Sequence, residues 1–182
     1  IQQMRWFIFL LGTSSMFGAI EHSVHFQLGE IFFNVIYFIM TALIFISSYF
    51  CFRAPYTLYL KNKKPSNFVV ISISLLMFLI FVLCNLQRNF VLAEICGGSA
   101  ILYSFTIHLA NYIRYKEQGS GLVALGIGIS FLSFVGHAFR ISLHEYFNHK
   151  DMAHVIMIIS MIVIYLGVYK SAREIKMSFE VI

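Results

Sequence analysis

Charge is scarce in this chain. Only 12% of its 182 residues are Asp, Glu, Lys or Arg, against 59% apolar residues, and there are just 2 prolines. A soluble domain carries about twice that share of charge, so the composition excludes a water-soluble globular fold and points to an integral membrane protein. The few charges gather between apolar runs, as expected when an ionised group at the bilayer centre costs roughly 2.5 kcal/mol or more. The formal net charge of +5 is therefore a topology signal, and no basic patch argues for a nucleic-acid partner. Cysteine is nearly absent as well. Cys51, Cys84 and Cys96 fall within or at the edge of apolar runs with no CxxC spacing, which argues against a disulfide or a cysteine-rich metal site and leaves small-residue packing as their expected role. No repeat, low-complexity stretch or cleavable signal peptide is seen.

What the chain has in abundance is long apolar segments. Six run approximately from Met4 to Glu21, Ile31 to Phe52, Phe68 to Leu86, Val91 to Ile113, Leu122 to Ile141 and Met152 to Tyr169. Each approaches the length of about 20 residues that crosses a bilayer as a helix. Helices are required because a lone lipid-facing strand leaves its backbone groups unpaired. The expectation is an all-α, polytopic membrane bundle forming a single domain over residues 1–182, with membrane lipid as its surroundings and partner. The chain starts at Ile1 rather than Met, so a further upstream helix, making seven spans, is compatible with the pattern. The first span is interrupted by Gly12-Thr13-Ser14-Ser15 and Gly18, and the fifth is rich in Gly and Ser. Small residues of this kind let membrane helices approach closely.

Lys and Arg set the orientation. Arg53, Lys61, Lys63 and Lys64 lie in the second connection, Arg114 and Lys116 in the fourth, and Lys170, Arg173 and Lys176 after the last span. The odd connections and their edges hold only Arg88, Arg140 and Lys150. The even connections and the C-terminus are thus expected in the cytoplasm. The stretch from Arg53 to Asn67, with Pro55, Pro65 and its lysines, reads as a cytoplasmic loop.

With this topology six of the seven histidines reach the non-cytoplasmic side: His22 and His25 end the first span, and His137, His144, His149 and His154 surround the connection before the sixth. His108, near the cytoplasmic end of the fourth span, reads as a packed or interfacial residue. A zinc site needs three or four N or O ligands about 2 Å from the metal, and a catalytic site leaves a position for water. His22, His149 and His154 are the candidate metal ligands, and Asp151 is the candidate catalytic residue as a ligand, an orienting group or a general base. Asp151 and His154 are three apart and share a helix face. His149 and His154 are five apart, about 140° from each other at roughly 100° per residue, unless Asn148 caps the helix and His149 sits in an irregular first turn. His137 and His144 are spare candidates.

The run Asn148-His149-Lys150-Asp151-Met152-Ala153-His154, with Gly18-Ala19-Ile20-Glu21-His22 ending an early helix, resembles the CREST group of seven-helix membrane proteins. That group comprises alkaline ceramidases, adipoQ-type receptors and hydrolases that remodel GPI-anchor lipids. A set of bacterial membrane proteins carries a similar Asn-His-x-Asp run. The resemblance implies a zinc held by one early and two late histidines, activating water against a lipid amide or ester. His22 matches the early histidine, and His149 and His154 stand nearest the late pair. The late pair is spaced HxxxH in that group and by five here, Gly18 stands where the group has Ser, and one helix fewer is present. Two other readings stand beside the zinc hydrolase: a haem-binding electron-transfer protein with histidines as axial ligands, and a non-catalytic subunit whose polar end contacts a membrane-protein partner.

Overall fold

A computed structural model describes residues 2–24, 29–59, 67–142, 144 and 149–180. It contains six helices: α1 (Gln2–Val24), α2 (Glu30–Tyr59), α3 (Asn67–Gln87), α4 (Val91–Tyr115), α5 (Gln118–Ala138) and α6 (His149–Glu180). The expected all-α fold and helix order are present. Four helices carry segments long and apolar enough to cross a membrane, namely Glu30–Pro55, Val70–Gln87, Val91–Tyr115 and Met152–Glu174, and α5 has a shorter apolar segment, Gln118–Ser133.

The helix bounds depart from the apolar spans in an instructive way. The Gly-Thr-Ser-Ser stretch does not break α1, and within it Thr13 Oγ1 and Ser15 Oγ satisfy themselves by donating to the carbonyls of Phe9 and Leu11, one turn back, at 2.8 and 3.0 Å. Helix α2 continues past Phe52 through Pro55 to Tyr59, so the first part of the expected loop is helical and residues 60–66 lie outside the described residues. Helix α6 runs beyond Tyr169 to Glu180, so Lys170, Arg173 and Lys176 lie on it rather than after it. Hydropathy marks where a helix leaves an apolar medium, whereas backbone hydrogen bonding continues through Lys, Arg and Glu, which are good helix formers.

The chain divides into two compact units, Gln2–Tyr103 and Ser104–Ile182, with the boundary inside α4. In the first, Ser14 Oγ donates to the Met40 carbonyl at 3.1 Å and ties α1 to α2. Helices α2 and α3 meet through Phe38 and Phe45 against Phe81, with ring centroids 5.4 and 5.5 Å apart. Phe45, Cys84, Ala93 and Cys96 form the buried centre. Cys51 Sγ donates to the Ala100 carbonyl at 3.6 Å, and Phe52 stacks on Tyr103 at 4.2 Å. The outer face of α3 exposes Phe68, Ile71, Leu75, Leu76 and Phe78, a surface suited to lipid rather than water.

In the second unit α5 and α6 pack with almost no space between backbones. A Cβ added at Gly119 would lie 2.3 Å from the Ser171 nitrogen, and one at Gly167 would lie 2.6 Å from the Val123 nitrogen. Only glycine permits this approach. The approach is used: Ser160 Oγ donates to the Gly126 carbonyl at 2.8 Å, and Ser133 Oγ donates to the Ala153 carbonyl at 2.9 Å. At the opposite end Glu174 Oε2 accepts from the Gly119 N–H at 3.3 Å, placing an anion where the α5 N-terminus has unsatisfied donors, and Lys170 Nζ bonds Gln118 Oε1. Helices α3, α4 and α5 are followed by Arg88, Lys116 and Arg140 at φ of 50°, 54° and 52°. These are left-handed caps filled by cations, which also suit the negative end of the helix dipole.

Candidate functional site

The Ser133–Ala153 hydrogen bond fixes the level of the α5–α6 pair at the end that carries the histidines. Because the pair is antiparallel, going one turn forward on α5 and one turn back on α6 moves along the seam in the same direction. One turn forward from Ser133 is His137, and one turn back from Ala153 is His149; residues four apart share a helix face. Gly136 confirms the proximity, since an added Cβ there would lie 3.0 Å from Met152 Cε. Positions 137 and 149 therefore lie on the two facing helix surfaces at one level, just past the last interhelical hydrogen bond.

This face of α6 is traceable along its length. His149, Ala153, Ser160, Ile164, Gly167 and Ser171 follow spacings of mostly three or four; Ser160, Ile164 and Ser171 are buried, while His149 is half-buried. His154 belongs to the other side. It is exposed, as are Val155 and Ile158, the latter one turn further on. Asp151, third residue of α6, is three before His154 and shares that side by spacing. The helix starts at His149, so the five-residue separation from His154 keeps the two histidines on different faces.

Of the residues expected from sequence, His149 is thus on the α5–α6 seam and His154 on the outer side. His22 is in the last turn of α1, in the other unit. The side chains of His22, His137 and Asp151 lie outside those described, and His25 lies outside the described residues altogether. His144 is exposed in the α5–α6 connection. Among the described residues no group of three or more His, Cys, Asp and Glu is gathered as a metal site.

His108 is packed, as its position in the sequence suggested, but the buried polar face around it was not foreseen. It is 1% exposed, on a buried face of α4 with Ser104 at 0% and Asn111 at 9%. Ser104 Oγ and Asn111 Nδ2 are buried without a hydrogen-bond partner among the described residues. The signal was available: Ala93, Cys96, Ala100, Ser104, His108 and Asn111 recur at intervals of three and four, the period of one helix face. The first half of that face is small and apolar, the second half polar. An ionisable group buried in an apolar helix is a functional candidate.

No curated protein matches this chain. No solved structure matches it either. Residues 1–173 match the DUF6962 family, described as a family of unknown function, and over that near-complete length the chain belongs to it.

Proposed function

We propose that this protein is a multi-pass membrane protein, crossing the bilayer six times with its C-terminus in the cytoplasm, that binds a divalent metal, zinc first, at the non-cytoplasmic end of α5–α6 and hydrolyses a lipid amide or ester there. The observation that carries the reading is the seam geometry: one turn beyond the 2.9 Å Ser133–Ala153 bond, positions 137 and 149 come to one level on adjoining helices. Imidazole donors suit zinc. Two at one level make half of a tetrahedral set, and His144 in the connection is the nearest further imidazole in the sequence. The set expected from sequence, His22, His149 and His154, shares His149 with this one, so single variants discriminate the two.

A bound divalent metal supplies Lewis acidity toward a carbonyl oxygen. The chain's own contribution is to hold the imidazoles rigidly, since both helices are locked by glycine contacts and serine–carbonyl bonds just below the site. Asp151 stands in the first turn of α6, where the helix dipole favours an anion. By spacing it goes with His154 rather than with positions 137 and 149, so a role as proton acceptor or orienting group belongs to the set His22, His149 and His154. The apolar outer surface gives a lipid lateral access without passage through water.

The experiment is turnover of a panel of lipid amides and esters by detergent-purified protein, with and without chelator, beside an optical spectrum. Chelator-sensitive hydrolysis lost in His149→Ala supports the reading. A Soret band would replace it with haem binding. Absence of turnover together with absence of metal would leave the subunit role.

A further inference from the structure

We propose that the groove between α2 and α3 is a phospholipid site, taking an acyl chain along its walls and an anionic headgroup at Arg53. This rests on the membrane reading above and not on the metal or the hydrolysis.

The groove has a volume of about 400 Å³, within the range of about 300–1,000 Å³ typical of small-molecule sites. Its walls are Phe45 and Ile46 from α2 and Met77, Phe78 and Phe81 from α3. The Ser74 hydroxyl in the lining is turned back to its own helix, donating to the Val70 carbonyl at 2.8 Å. The surface therefore offers hydrocarbon contact over nearly its whole length.

One end of the groove differs. Tyr49 is the lining residue nearest the C-terminal end of α2, and its hydroxyl accepts from Arg53 Nη1 at 3.1 Å, with the guanidinium 5.9 Å from the ring centroid. Arg53 is exposed. Its side chain is thus held beside a residue of the groove lining. A guanidinium has five donors in a planar fork that matches a phosphate.

Depth makes the assignment specific to a lipid. Arg53 lies within two residues of Pro55, where the apolar segment of α2 ends, so it stands at headgroup level. From Tyr49 the lining descends to Ala42, about 10 Å at 1.5 Å per residue. Cation at the interface and apolar groove running inward from it match the order of phosphate and acyl chain in a phospholipid. A free phosphate would have no use for the groove.

The test is native mass spectrometry of the detergent-solubilised full chain with dioleoyl phosphatidylglycerol or dioleoyl phosphatidylcholine. The expectation is retention of phosphatidylglycerol about tenfold tighter or more, because both lipids offer the phosphate but the choline ammonium cancels its charge and repels the guanidinium. Arg53→Gln should bring the two lipids close to parity, and Ala42→Phe, which fills the groove, should weaken both. Ile46→Trp repeats the filling test from the exposed side should Ala42→Phe fail to fold. Equal retention by the parent protein, an Arg53→Gln variant that keeps the preference, or filled grooves that bind unchanged would each overturn the site. A chain that stays monodisperse without detergent would instead overturn the membrane reading beneath it.

Discussion

Gly126 and Gly128 stand two positions apart on α5, and replacing each with alanine should move stability in opposite directions. At Gly126 the new Cβ would meet the Ile164 nitrogen at 2.8 Å and the Ser160 carbonyl oxygen at 3.0 Å, as well as Ile164 Cγ1 at 2.6 Å. The side-chain contact is relieved by a rotamer change, but the backbone contacts are not. Ordinary contact begins at 3.4 Å, so α6 has to retreat by roughly 0.6 Å, an overpacking that typically costs about 1–3 kcal/mol. The retreat also stretches the 2.8 Å Ser160–Gly126 bond, an interaction that averages about 0.6 kcal/mol in membrane proteins. Alanine returns about 0.8–1 kcal/mol of helix propensity. The net is a loss of about 0.6–2.8 kcal/mol. At Gly128 an added Cβ meets nothing within 4 Å, so only the propensity gain of about 0.8–1 kcal/mol remains. Reversible unfolding in mixed micelles, followed by far-ultraviolet circular dichroism, measures both. Equal shifts, or a stabilised Gly126→Ala, would refute the close α5–α6 approach on which the placement of His137 and His149 depends.

Asn111→Leu should be neutral or stabilising by about 1 kcal/mol in the same assay, because the buried Nδ2 has no partner among the described residues and an apolar replacement removes a desolvated donor; a loss above about 2 kcal/mol would mean that a ligand or water holds it. With the metal at positions 137 and 149, Asp151→Asn should leave metal affinity unchanged in a chelator competition and cost about 1 kcal/mol or less in stability, because Asp151 goes with His154 by spacing; a loss of roughly 10- to 100-fold would instead favour the set with His154. Single cysteines at Lys63 and Lys150, each in a background lacking Cys51, Cys84 and Cys96, should be labelled from opposite sides of the membrane, and labelling from one side would overturn the orientation.

The helices were legible because apolar runs and polar connections alternate at bilayer length, a signal that needs no knowledge of packing. Their ends were less so. The α6 continuation to Glu180 rests on the helix propensity of Lys, Arg and Glu, which hydropathy does not register, and the contact of Glu174 to the α5 N-terminus is tertiary. The candidate site was legible as a group of histidines at one end of the helices but not as a partition among them. Helix phase alone separates His149 from His154, whereas the pairing of positions 137 and 149 requires the register between α5 and α6, which Ser133 and Ala153 set across the seam. The packing of His108 was legible from its place in the fourth span, whereas the buried polar face it shares with Ser104 and Asn111 shows only when the helix period is followed along α4.

The most direct measurement of the central claim is the metal content of the detergent-purified protein and of its His137→Ala and His149→Ala variants, by inductively coupled plasma mass spectrometry, with helicity checked on each sample. The seam geometry predicts about one zinc per chain in the parent protein, a loss in both variants and unchanged helicity. A parent protein that neither retains metal nor takes up added zinc, or variants that bind it as the parent does, would contradict a metal site at the end of α5–α6.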